Sequence, residues 1–197
     1  MLSPWLLPRQ AVFGDKTYAL QADFRDVLEI IAYLQDPDLP EFIRWQIALA
    51  LFYEPAVSPE HSHGAMEYLA WFLTGGCPES DRPGPKLLDW QQDAPAIVSD
   101  VNKAAGQEIR ALPFLHWWTF LSWFHAMGEG QVSTLVALRD KLRRGKKLEP
   151  HEQEFYRRNR SRILLRPEET PEELAQKEAL RRLLDPPCEE REGEYAK

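Results

Sequence analysis

The chain has 197 residues, of which 44% are hydrophobic and 28% charged, enough for one good core or one domain with a tail. No apolar run reaches the roughly 18 residues that span a bilayer, and Met1–Pro8 lacks the basic start of a secretory signal. Cys77 and Cys188 are the only cysteines, which excludes a disulfide framework and points to a reducing, cytoplasmic setting.

The formal charge of −7 is unevenly spread. Residues 1–130 carry 8 basic and 17 acidic side chains, residues 131–166 carry 11 and 4, and residues 167–197 carry 5 and 10. A basic segment between acidic ones reads either as self-neutralisation or as a patch for nucleic acid or an acidic partner. The net negative charge favours the first, because it repels phosphate at long range.

In chain order, Val12–Leu20 reads as a short hairpin turning at Gly14-Asp15. Asp23 then caps a helix carrying Phe24, Val27, Leu28, Ile31 and Leu34 at helical spacing, stopped by Pro37 and Pro40. A second helix from Pro40 puts Phe42, Ile43, Ile47, Leu51 and Phe52 on its apolar side and ends at Pro55. A third runs from about Glu60 to Thr74, with Met66, Leu69, Ala70 and Leu73 apolar and Gly75-Gly76 as its cap. Residues 76–86 form a Gly- and Pro-rich loop between the halves 10–75 and 87–166.

The second half opens with a helix from about Asp89 to Ala105, capped by Asp89 or Asp93. The next covers about Pro113 to Met127 and holds Trp117, Trp118, Phe120, Trp123 and Phe124; it looks apolar on every side. Helices follow from Ser133 to Arg144 and from Pro150 to Ile163, the latter with Phe155 and Tyr156 on its apolar side. Beyond Arg166, Thr170-Pro171-Glu172-Glu173 begins one more possible helix inside a flexible acidic tail, and the last ten residues read as disordered. The expected fold is mainly α: a single-domain bundle of about seven helices over 10–166, with a small N-terminal hairpin and a tail at 167–197.

Candidate chemistry is sparse. His61 and His63 point about 200° apart on a helix and cannot jointly hold a metal. His116 and His125 face opposite sides of theirs, and His116 reads as a hydrogen-bonded core or boundary residue. Asp89 and Asp93 share a face with Gln92 beside them, but two carboxylates in a first helical turn suit capping and the helix dipole better than acid–base work. With no phosphate loop or nucleophile elbow, no catalytic, cofactor or metal residue is assigned. A possible basic patch comprises Arg139, Lys141, Arg143, Arg144, Lys146, Lys147, Arg157 and Arg158, continuing to Arg160 and Arg162. The long joint from Arg144 to Pro150 and the spread over several faces argue against a helix-turn-helix.

Leu88-Asp89-Trp90-Gln91-Gln92-Asp93-Ala94, Ile97, Gly106 and Leu115-His116-Trp117-Trp118-Thr119-Phe120 together resemble the bacteriophage gp-fifteen family. Similar too are Leu138-Arg139, Lys147-Leu148, Glu152, Tyr156 and the opening Tyr18, Asp23-Phe24-Arg25. The resemblance covers most of 10–166; Pro95 is unusual for it, and the tail from 167 has no counterpart in it. It implies a non-enzymatic tail-morphogenesis protein of long-tailed phages and prophages, a tail assembly chaperone that shields the apolar helices of the tape measure protein in the host cytoplasm. In that reading Trp117, Trp118, Trp123 and Phe124 line the binding groove, and the aromatic surplus leaves room for self-assembly into a homo-oligomer. The rival classes are a structural tail component retained in the virion and a nucleic-acid-binding regulator using residues 139–166.

Overall fold

Gly14, at φ +60°, reverses the chain between β1 (Gln10–Phe13) and β2 (Lys16–Leu20), which pair antiparallel with Phe13 opposite Lys16. A side chain at this position would also press on the His61 ring, 3.0 Å from where its Cβ would lie. A third strand, β3 (Tyr53–Glu54), adds to the far edge of β2, giving the order β1-β2-β3. Two residues are too few to show an alternating pattern, so the sequence offers no sign of this strand. The computed structural model describes residues 5–77 and 84–166. The expected tail helix from Thr170 and the terminal stretch lie outside the described residues.

The hairpin leads into α1 (Phe24–Leu34), whose first free N–H groups are met as expected: Asp23 Oδ1 accepts from the Arg25 N–H at 3.0 Å. This helix buries Phe24, Val27 and Ile30. In α2 (Glu41–Phe52) the expected face holds for Phe52 but not for Phe42 and Leu51. Ala48 and Phe52 point inward, Phe42 is 69% exposed and Leu51 lies at the surface. Nearly every residue from Phe42 to Phe52 is apolar, so periodicity marks no unique side and the neighbours choose one. A 3-10 turn at Pro59–His61 precedes α3 (Ser62–Leu73), which buries Ala65, Leu69 and Phe72. Gly75 and Gly76 end it in left-handed conformations, and the Gly76 N–H donates to the Trp71 carbonyl at 3.1 Å.

The helix expected from Asp89 begins later, as α4 (Ala94–Ala105). The Asp89 carboxylate instead closes a separate turn by accepting the Gln91 and Gln92 N–H groups. The aromatic helix is also shorter, α5 (Trp117–His125). Its leader is extended because it crosses the start of α1: Phe24 N–H donates to Leu115 O at 2.9 Å, and Trp117 N–H to Ala22 O at 2.8 Å. Nor is α5 buried all round, since Trp117 and Phe120 are enclosed while Ser122 and His125 face water.

The last three helices are α6 (Gln131–Arg143), α7 (Pro150–Arg158) and α8 (Arg160–Ile163). Asn159, at φ −122° and ψ 25°, breaks the helix expected over 150–163. The break turns Ile163 into the core and leaves Phe155 40% exposed, with Tyr156 half-buried. The architecture is mainly helical, with eight α-helices among the described residues and a small sheet at the start. Its core joins both halves of the sequence: Phe24 of α1 stacks on Phe120 of α5 with ring centres 5.0 Å apart. Each such fully enclosed ring contributes about 1.5–3 kcal/mol. The compact unit that contains this core ends at Arg166. No helix among the described residues is long and apolar enough to cross a membrane.

Candidate functional site

The last carbonyls of an α-helix have no partner within it. At the end of α3 two of them are met from α5: the indole N–H of Trp117 donates to Leu73 O at 3.0 Å, and that of Trp118 to Phe72 O at 2.9 Å. His116 sets the register of both. Its Nδ1 accepts the Trp118 N–H at 3.1 Å, so the ring proton sits on Nε2 and is given to Pro8 O at 2.9 Å. The imidazole is therefore neutral, and burial holds its pKa below the ordinary 6.5 despite the Pro8 carbonyl. The expected hydrogen-bonded core histidine is what the structure contains.

The four candidate groove residues divide. Trp117 is enclosed, stacked on Phe120 at 5.4 Å and edge-on to Trp90 at 5.9 Å. Phe124, seven residues on and on the same face, meets Trp90 at 5.1 Å. Trp118 turns to α3, where it meets Trp71 edge-on at 5.1 Å, and Trp71 meets Tyr68 at 5.1 Å. Trp123 is half-buried and packed against the core. Tyr68, Trp71 and Trp118 thus form a strip of half-buried rings across α3 and α5. Gly76 closes one end, where an added Cβ would stand 2.9 Å from the Trp118 ring. Tyr68 and Trp71 are absent from the sequence reading, although their three-residue spacing on one helix was a usable sign.

Of the acidic pair, Asp89 meets free N–H groups as expected, at the turn before α4, and Asp93 has a different role. Asp93 makes no side-chain cap; its carboxylate takes both ends of the Arg139 guanidinium, at 2.8 Å on one side. Arg139 also donates to the carbonyls of Leu87, Arg162 and Ile163. Gln92 completes the clasp, its Nε2 donating to Leu164 O at 2.8 Å and its Oε1 accepting the Arg166 N–H at 2.9 Å. The Gln-Asp-Ala segment and Arg139 together hold the α8 end of the chain against α4.

Arg139 is accordingly no part of a surface patch: it is 5% exposed. Lys141 pairs with Glu152, Arg143 and Arg144 with Asp140, and Arg158 with Glu154. The hydrogen bond from Arg143, joined by that from Arg144, holds the Asp140 carboxyl below its usual range, and Lys141 does the same for Glu152. Lys146, Lys147 and Arg157 remain exposed, with no ion pair among the described residues. Of the separate histidine pair, His61 Nδ1 lies 3.0 Å from the Tyr18 hydroxyl and His63 contacts Glu67, so the two serve different neighbours. No group of three metal-ligating side chains occurs among the described residues.

Clefts open on the surface among the described residues, and two of them lie between helices. One, of about 320 Å³, lies between α2 and α3 and is lined by Leu34, Arg44, Trp45 and Leu73. The other, of about 380 Å³, lies between α6 and the α7–α8 pair. No curated protein and no solved structure matches the chain. A family model does match, that of the Bacteriophage Gp15 protein, over residues 6–165, which takes in the three strands, the Trp117–Trp118 clamp and the Asp93–Arg139 pair. That match agrees with the phage tail-related role expected from the sequence, and the chain belongs to the Bacteriophage Gp15 protein family.

Proposed function

We propose that this protein is a non-enzymatic tail assembly chaperone that shields apolar helices of the tape measure protein in the host cytoplasm before the tail tube forms. The observation that carries the reading is the half-buried strip Tyr68–Trp71–Trp118. Trp118 is held from beneath by the Phe72 carbonyl and packs on Trp71, which packs on Tyr68, so the three rings present an apolar surface at little entropic cost on binding. An amphipathic helix laid along such a surface buries its apolar face without entering the core. Trp117 belongs to the fold and supports the strip; it does not line it.

Co-expression with the tape measure protein of the same phage, followed by pull-down and size-exclusion chromatography, tests this. A soluble complex containing several copies of this chain supports the reading, and Trp71→Ala, assayed well below its own lowered melting temperature so that it is fully folded, then still weakens capture. A tape measure that stays insoluble while this chain elutes alone and folded defeats it. Mass spectrometry of purified virions separates the structural-component alternative, because a chaperone is absent from the finished particle.

A further inference from the structure

Of the exposed residues of α2, Phe42, Gln46 and Ala50 stand four apart and so form one ridge along its outer side, about 12 Å long. The half-buried Ile43 and Ile47 lie beside it. Phe42 is 69% exposed, and the ridge carries no charge. A helix side that faces only water carries charged and polar groups, whereas a helix apolar on nearly every side is one that packs on both. We propose that this ridge is the contact between two copies of the chain, α2 of one lying antiparallel beside α2 of the other across a two-fold axis at Gln46.

The order of residues along the ridge selects a second copy. A two-fold axis at Gln46 sets position 42 against position 50, so the large Phe42 of each copy covers the small Ala50 of the other. Parallel pairing would set Phe42 on Phe42 and leave a gap between the alanines. Antiparallel pairing also opposes the two helix dipoles, which favours it. On the axis the two Gln46 amides meet, each with a donor and an acceptor for the other. A polar residue at the centre of such a seam fixes its register. One helix face is small beside the roughly 800 Å² per partner of a standard interface, so the pairing is weak. Each copy carries a net charge of −7, so salt screens the repulsion between copies and strengthens the pairing. The contact lies on α2, apart from the Tyr68–Trp71–Trp118 strip on α3 and α5, and does not depend on the role of that strip.

Sedimentation velocity of the full-length protein, over a concentration series reaching the millimolar range, tests this. A monomer–dimer equilibrium is expected, shifting toward dimer as salt rises. Gln46→Glu places two carboxylates on the axis and Phe42→Ser empties the contact with Ala50, and each lowers the association constant about tenfold. Both side chains are exposed, so thermal melts of the variants match the parent. Oxidative cross-linking in a Cys77→Ser, Cys188→Ser background reads the orientation. Gln46→Cys gives a disulfide-linked dimer and Phe42→Cys alone does not. A mixture of Phe42→Cys with Ala50→Cys gives the mixed dimer, because its second Phe42–Ala50 contact is intact. A monomer at every concentration, unchanged association in both variants, or a Phe42→Cys self-link as efficient as that of Gln46→Cys overturns the proposal.

Discussion

Arg139 and Asp93, 46 positions apart in the chain, form a two-point ion pair with both side chains almost wholly buried. An arrangement of this kind is tolerable only because the guanidinium's other donors also find carbonyls, those of Leu87, Arg162 and Ile163. Arg139→Ala or Asp93→Ala strands a charge in the interior and is expected to cost about 3–5 kcal/mol. Urea denaturation measures this. The double variant should lose less than the two single losses combined, and strict additivity would show that the pair acts as two independent contacts.

Gly130 precedes α6 with an extended backbone, at φ −171°, so conformation does not demand glycine there. Space does. A Cβ at this position would lie 2.4 Å from the Asp100 carboxylate, the group that receives the Val132 N–H. Gly130→Ala should therefore destabilise by about 1–3 kcal/mol, as overpacking does. Gly84→Ala, with nothing within 4 Å, is the control and should be near neutral. Parallel thermal melts decide, and equal effects of the two substitutions would refute the steric account.

The indole clamps on α3 differ in depth. Trp117→Phe keeps most of the ring but leaves the Leu73 carbonyl without its donor, at an expected cost of about 1–3 kcal/mol. Trp118→Phe removes the matching bond to Phe72 nearer the surface, where water can replace it, so the loss should be smaller. Chemical denaturation should rank the two in that order; the reverse ranking would mean that the ring stack, not the hydrogen bond, dominates.

Acid should weaken the fold in two stages. Burial lowers the pKa of His116 below 6.5, so the unfolded chain binds more protons than the folded one once pH drops beneath that value. The stabilisation is whole above about pH 6.5 and fades as pH falls toward the folded pKa. For Asp23, burial opposes ionisation, but the Arg25 guanidinium and the N–H groups of Leu115 and Arg25 outweigh it and hold the carboxyl below 3.8. Its contribution is present above that value and lost as pH falls through the lowered pKa. Stability measured against pH should thus decline first below neutrality and again in strong acid. His116→Gln should flatten the first decline while leaving the second.

Local chemistry was legible in the sequence where one neighbour decides the outcome. The Gly14 turn, the Asp23 cap and the glycines after α3 need only adjacent residues, and each is where the pattern put it. The family pattern was equally readable, because it depends on residue identities alone. Pairings across distance were not. Asp93 looked like a helix cap because nothing nearby in sequence announces Arg139, and Phe42 looked buried because α2 is apolar on nearly every side. The strip rests on Trp71, beside Tyr68, meeting a tryptophan from a helix far along the chain, so only one of its three rings was marked in advance.

The crossing of residues 22–24 with residues 115–117 has a consequence for biosynthesis. As the chain leaves the ribosome, its first three helices are complete at Leu73, yet the Phe120 that stacks on Phe24, the Trp118 that meets Phe72 and the indole that meets the Leu73 carbonyl have not been made. The nascent N-terminal half waits with its sticky side uncovered until Phe120 emerges, an interval in which it is itself a client for protection.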